Sequence, residues 1–340
     1  MRNRREAELD APAKPVENAV GSNVPVSRSF RHVVYGIVVE SEFRLKSVDE
    51  AVGCDAATSV TIALAAPGYI AGRIRGLTVD PGDWLDHAVL PDGDVYMKLD
   101  DVFETIVSSD GRHVVCAKLA DVDDSSFEAN LLNFVLSTSL LLQGEEPLHA
   151  TVVELGGRAI GLLGPSGAGK STLAAFLIGR GAKLITDDML RLTIVDGRAL
   201  AHAGPNRLKL FAEPAARFLP RATGEGHWNS MSGKIMVRPH AAAEERHAPK
   251  PLAALFWLGD DEPQNPTIGV TSTRLSGIDL AHTLTASAMN IRYYAPDRLT
   301  RQLRFAERLG KVMPVYALKY ARSYAVLEQV AEEIERRTGP

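Results

Sequence analysis

Cysteine is nearly missing from this 340-residue sequence: only Cys54 and Cys116 occur, far apart. That spacing builds neither a metal site nor a disulfide framework, so both read as ordinary thiols. Excess positive charge is missing too. The 38 lysines and arginines face 42 aspartates and glutamates, for a net charge of −4. No global field draws nucleic acid or an anionic membrane, and neither is expected as a partner. No apolar run approaches the ~18 residues of a membrane span. The first residues carry Arg2, Arg4 and Arg5, but acids and prolines follow where a secretory signal needs an apolar stretch. The expected location is therefore cytoplasmic. No internal repeat is visible. What remains is ordinary globular composition, 45% hydrophobic and 24% charged, at a length that suggests about two domains.

The texture along the chain supports that division. Residues 1–29 mix charge, Pro, Asn and Ser without periodicity and read as a disordered tail. His32–Ser41, Ser59–Ala65, Asp94–Leu99, Glu104–Ser109 and His113–Leu119 are β-branched-rich runs of strand length. Pro67-Gly68, Pro81-Gly82, Pro91-Asp92-Gly93 and Asp110-Gly111 punctuate them, the last as a hairpin turn. Ser125–Gln143 reads as a helix capped by Ser125 or Ser126 and closed by Gly144. Strands are then expected at Leu148–Leu155, Arg158–Leu163, Lys183–Thr186, Leu190–Val195, Arg207–Phe211, Ala254–Gly259 and Pro314–Tyr320. Helices are expected at Thr172–Gly181, Pro214–Leu219, Gly277–Met289, Asp297–Leu309 and Ser323–Arg336. Residues 220–250 are polar and Gly- and His-containing, and read as an irregular loop.

The chemistry centres on Gly164, Pro165, Ser166, Gly167, Ala168, Gly169, Lys170 and Ser171, a complete G-x-x-x-x-G-K-S phosphate loop, followed by Thr172. A buried strand precedes it and a helix follows, which is the context the motif requires. Glycines let successive N–H groups curl around a polyphosphate, and the helix N-terminus adds its positive dipole end. Lys170 can reach the β- and γ-phosphates, and the Ser171 hydroxyl can sit on Mg²⁺. ATP and Mg²⁺ are the expected cofactors.

Asp187 and Asp188 close the next strand, 17 and 18 residues after Lys170. Two carboxylates at the C-terminal edge of such a sheet can face the γ-phosphate. One can hold Mg²⁺; the other can accept the proton of an attacking hydroxyl. His149 precedes the loop by 21 residues relative to Lys170 and is a further candidate, although an isolated His is more often structural. Arg207, Lys234 and Arg238 could neutralise phosphate charge, but read more simply as solvated surface. Leu275-Ser276-Gly277 echoes a transporter-ATPase signature. The long apolar strand ending in Asp-Glu that should follow is absent.

With these residues in place, Leu148–Leu192 resembles the catalytic core of the HPr serine kinase/phosphorylase family. Shared features are a His before a strand pair, the phosphate loop, a short helix ending near Arg-Gly, and Asp-Asp after the next strand. Ala288-Met289-Asn290-Ile291-Arg292 echoes that family's C-terminal region. The resemblance implies an α/β P-loop kinase domain of the HPr kinase/PEP carboxykinase type, oligomeric assembly, and ATP-dependent phosphorylation of a serine. It implies Asp188 as proton acceptor, Ser171 as a Mg²⁺ ligand, Lys170 as phosphate clamp and His149 as an active-site residue; of the acidic pair, Asp187 is then expected to organise Mg²⁺ with Ser171. The chain departs from the pattern in having Thr172 where an acidic residue is usual. It also lacks an EIRGLG-like segment with its second metal-binding Glu, for which Glu213 is a candidate substitute. Phosphorolysis is thereby in question. Val33–Leu45 and the β-rich half are similar to HPr-kinase-like proteins of ribosomal-peptide gene clusters, including lasso-peptide precursor kinases; Asn206–Leu219 and Lys234 fit that subgroup.

The sequence therefore leads to a tail (1–29), a β-rich domain (30–124) and a P-loop catalytic domain (125–340). The expected activity is serine phosphorylation of a peptide or small protein, such as a lasso-peptide precursor. The competing expectations are a kinase of HPr or of a small hydroxylated metabolite, and a nucleotide-binding regulator.

Overall fold

A computed structural model describes residues 29–51, 58–80, 85–119, 121–228, 232–239, 248–259, 269–290, 293 and 295–339. The expected tail, Cys54, the Pro81-Gly82 turn, Ile291 and Arg292 lie outside these residues.

The first half is built on one eight-stranded sheet. Its elements are β1 (Phe30–Val34), β2 (Ile37–Ser41), β3 (Asp49–Glu50), β4 (Thr58–Leu64), a short α1 (Tyr69–Arg73), β5 (Leu85–Val89), β6 (Val95–Leu99), β7 (Phe103–Val107) and β8 (His113–Lys118). The strand order is β3-β1-β2-β4-β8-β7-β6-β5. The run His32–Ser41 is not one strand but a hairpin. Tyr35 and Gly36 both take positive φ, 53° and 68°, which makes the two-residue turn that matches strand twist. A Cβ on Gly36 would fall 2.1 Å from His202, so the turn is pressed against the second half. Asp110-Gly111 joins β7 to β8 as expected.

Residues 124–142 are continuously helical: α2 (Asp124–Asn130), a π-helical turn (Leu131–Val135) and α3 (Leu136–Leu142). The cap is Asp123, not Ser125 or Ser126: its Oδ1 accepts from the Ser126 N–H at 2.9 Å. The sequence places this helix at the start of the second domain. Its Leu131, Leu132, Leu136 and Leu140 instead share a core with Val39, Val60 and Phe103 of the first sheet. Each such fully buried leucine contributes about 1.5–3 kcal/mol.

The second half is a mixed α/β layer. It contains β9 (Ala150–Leu155), β10 (Arg158–Leu163), α4 (Lys170–Gly179), β11 (Lys183–Thr186), β12 (Leu192–Val195), β13 (Arg198–Ala201), β14 (Leu208–Leu210), α5 (Ala212–Phe218), β15 (Thr223–His227), β16 (Ile235–Arg238) and β17 (Lys250–Leu258). It ends with β18 (Thr271–Arg274), α6 (Gly277–Ala286), α7 (Arg298–Val312), β19 (Val315–Lys319) and α8 (Leu327–Thr338). The sheet order is β11-β9-β10-β17-β13-β12, and β19 also pairs with β17 and β18. One face packs α4 and α8; the other packs α6 and α7. The stretch 220–250 is not wholly irregular. β15 and β16 join β14 in a three-stranded sheet, while 229–231 and 240–247 lie outside the described residues. Sparse apolar residues in Thr223–His227 hid that strand from periodicity.

The two halves meet at the Tyr35-Gly36 turn. The Tyr35 N–H donates to Ala203 O at 2.7 Å. Arg191 donates to Tyr35 O at 3.1 Å and forks onto Glu145 at 2.7 and 2.9 Å. Among the described residues, no helix is long and apolar enough to cross a membrane.

Candidate active site

The phosphate loop turns between β10, whose last five residues are buried, and α4. The sequence places the helix start two residues late; it begins at Lys170, capped by Gly169 at φ 91°. Gly164 must be glycine. Its φ is 143°, and a Cβ there would lie 2.6 Å from Leu258 O. Gly167 faces open space, and Pro165 and Ser166 stand outside the core while Ala168 is buried. Lys170 Nζ donates to Gly164 O at 2.7 Å and to Pro165 O at 3.0 Å. Burial lowers its pKa to about 8, opposed by Asp188 and Asp187.

Asp187 and Asp188 form a tight turn at the end of β11. Asp188 takes φ 68°, a left-handed conformation that Asp tolerates. Met189 N–H closes onto Asp187 O at 2.9 Å, and Ala150 N–H reaches Asp188 O at 3.3 Å. The two aspartates differ in what they face: both line a small cavity behind the turn, and only Asp188 also lines the main cleft. Asp187, expected at the metal, is internally committed: Oδ1 accepts from Thr151 Oγ1 at 2.6 Å and Oδ2 from the Lys209 N–H at 2.8 Å. It lines the small cavity with Asp188, Tyr35, Arg207, Lys209 and Trp228. Burial, then the neighbouring Asp188, push its pKa up to about 6. Asp188 also lines the main cleft. Burial alone would raise its pKa, but Lys209, His149 and Lys234 hold it below the ordinary value.

That cleft, about 590 Å³ including solvent at its mouth, is lined by His149, Lys170, Ser171, Thr172, Asp188, Lys209 and Lys234. His149 Nε2 lies 3.9 Å from Asp188 Oδ1, and burial with the Lys170 charge lowers its pKa to about 4. It is neutral at pH 7 and can hydrogen-bond without adding charge. Lys234, which reads as solvated surface in the sequence, lines this cleft with the phosphate-loop residues. Arg238 does not reach the cleft; its Nε pairs with Glu225 at 2.6 Å. Glu213 accepts from Tyr324 Oη outside the cleft.

Lys209 was missed. Its Nζ sits 2.6 Å from Asp188 Oδ2 and 3.4 Å over the Trp228 ring. The signal was available: a lone lysine between Leu208 and Leu210, both buried, is costly unless paired. Trp228 is held by its carbonyl, which accepts from Asn130 Nδ2 of α2 at 3.0 Å. Arg322 was also missed; it donates to Gly167 O at 3.0 Å.

No protein-family model matches the chain. Sequence similarity to known proteins is confined to short stretches. The chain is 33% identical over 89 residues to an HPr kinase/phosphorylase of Lachnoclostridium phytofermentans, 26% of this chain and 28% of that one. It is 40% identical over 60 residues to an HPr kinase/phosphorylase of Treponema pallidum, 18% of this chain and 19% of that one. The chain resembles HPr kinase/phosphorylases. The matches span less than a third of those relatives' length. A solved HPr(Ser) kinase/phosphatase from Coxiella burnetii aligns over 56% of this chain and 94% of that one, at 10% identity and a TM-score of 0.27.

The donor set suits a magnesium nucleotide. Three lysines and a helix N-terminus converge on the loop. Ser171 and Asp188 offer two oxygens, and magnesium takes its remaining ligands from phosphate and water. No cluster of three His, Cys, Asp or Glu side chains that could hold a metal ion occurs among the described residues.

Proposed function

We propose that this chain is an ATP- and Mg²⁺-dependent serine kinase with an HPr-kinase-type P-loop core, acting on a peptide or small protein. The observation that carries this reading is one cleft lined together by Lys170, Ser171 and Asp188. A nucleotide-binding regulator needs the first two but not an ionised carboxylate in the same cleft.

Lys170 leaves the loop carbonyls and clamps the phosphates, and the loop N–H groups follow the polyphosphate. Magnesium, held by Ser171, would neutralise phosphate charge. Asp188, kept ionised by Lys209, accepts the serine proton. Asp187 braces the turn that aims Asp188. The absence of an EIRGLG-like segment supports forward transfer over phosphorolysis.

The acceptor we favour is a serine of a ribosomally made peptide precursor of the lasso type, supported by the family likeness of the β-rich half. HPr is the second reading, supported by the names of the curated relatives. The reading includes a cytoplasmic location, homo-oligomeric assembly and a β-rich domain that helps present the acceptor. The test is incubation with MgATP and candidate peptides, then mass spectrometry. A phosphate adduct on serine is expected. Tight ATP binding with no adduct on precursor peptides or HPr contradicts the kinase reading.

A further inference from the structure

A second, larger cleft of about 1530 Å³, including solvent at its mouth, lies apart from the phosphate loop. Its walls are β12, the segment 144–147 and α7. The two clefts share chain: Pro147 is two residues from His149, and Leu192 is four residues from Asp188. Four residues span at most about 14 Å.

β12 is an edge strand whose partner is β13 alone among the described residues. Asp196 and Gly197 turn with φ 49° and 70°, so Val195 and Arg198 flank a two-residue hairpin loop as a hydrogen-bonded pair. The antiparallel ladder then bonds Thr193 to Leu200. His202 N–H donating to Arg191 O at 3.1 Å continues that alternation. The backbone groups of Leu192 and Ile194 therefore point away from β13, off the free edge of a strand that lines the cleft. A strand edge of this kind accepts an extended chain.

The opposite wall specifies charge. Arg301, Arg304 and Arg308 line one stripe of α7 around Phe305. Glu145 and Glu146 do not balance it, because Arg191 holds the first and Arg298 and Arg301 hold the second. Glu307 is paired with Lys311 at 2.7 Å. Arg304 and Arg308 have no carboxylate partner among the described residues, and like charges at this spacing weaken a helix.

We propose that this cleft docks an extended acidic segment of the acceptor polypeptide, which adds as a strand to β12 while its carboxylates meet Arg304 and Arg308. Side chains of an added strand alternate between faces, so the carboxylates turn towards α7 and the apolar side chains lie on the opposite face. The docked segment presents a serine a few residues away to Asp188. The occupant being the acceptor rests on the kinase reading; the strand addition does not.

The test is fluorescence anisotropy of the full chain with a labelled peptide in which Glu alternates with Val, without ATP. The charge-reversed Lys-Val peptide is the control. The Glu peptide should bind at least about tenfold tighter than the Lys peptide. Ile194→Pro removes an outward N–H without touching the β13 ladder and should abolish binding. Arg304→Glu with Arg308→Glu, both on the exposed helix face, should reverse the preference. Binding of a MgATP analogue should be unchanged in each. Equal affinity for both peptides, or retained binding in both variants, overturns the proposal. So does self-association of the wild type that Ile194→Pro removes, since a second copy would then own the edge. Failure of phosphoryl transfer with intact, charge-selective peptide binding would instead count against the kinase reading.

Discussion

Lys209 and Asp188 form a pair that neither residue could sustain alone. Both side chains are 13% exposed, and an unpaired charge at that depth is strongly unfavourable. Lys209→Met removes the cation in direct contact with Asp188, leaving Lys170 and Lys234 as the cleft's remaining lysines, and should cost roughly 3 kcal/mol of stability. Urea denaturation at pH 7 checks this, and a loss below about 1 kcal/mol contradicts it. His202 gives a pH signature. It is 9% exposed, and burial, then Arg191, lower its pKa to about 4. An unfolded imidazole titrates near 6.5. Between these values only the unfolded chain holds the proton, so stability from this group is full above about 6.5 and is lost as pH falls towards 4. Asp187 acts in the opposite sense: its raised pKa of about 6 favours the folded state at acid pH, and that gain is lost as pH rises through 6. Comparing His202→Asn with wild type at pH 4.5 and 7.5 isolates the imidazole. The variant should lose about 1–3 kcal/mol less on acidification; parallel losses contradict the assignment. At this scale the sequence revealed the motif residues by spacing. It could not reveal which aspartate faces the cleft, because a single left-handed φ at Asp188 decides that.

Elements were legible where periodicity and turn chemistry agreed. β10 and β11 match their expected limits, because β-branched and apolar runs there end at Gly164 and Asp187. Tyr35-Gly36 was passed over because tyrosine is an unusual partner in a positive-φ turn. β15 was passed over because its edge carries Gly and His rather than an alternating pattern. The phosphate loop itself depends on one backbone approach. Gly164→Ala places a Cβ against Leu258 O, so the loop must shift away from β17. ATP affinity should fall by at least tenfold, about 1.4 kcal/mol, in isothermal titration with a non-hydrolysable analogue. Wild-type affinity would show that the loop tolerates the displacement.

At the scale of the molecule, the expected boundary near residue 124 does not follow the packing. Phe127 of α2 and the leucines of the π-helical turn and α3 are buried with the first sheet, while Asn130 holds Trp228 beside Lys209. The helix therefore belongs to both halves and ties the β-rich sheet to the catalytic turn. A fragment of residues 125–340 exposes that leucine face. It should be aggregation-prone and should unfold at a lower temperature than the full chain. A monomeric fragment as stable as the whole contradicts this. Sequence patterns revealed two textures but not this overlap, since a helix that is apolar on most sides does not declare which sheet it serves. The most direct measurement for the whole account is Asp188→Asn, assayed for MgATP binding and for transfer of phosphate to a serine peptide. The account predicts affinity within a factor of about three, with transfer reduced by about 10²–10⁴. Transfer near the wild-type rate would remove Asp188 as proton acceptor and contradict the central claim.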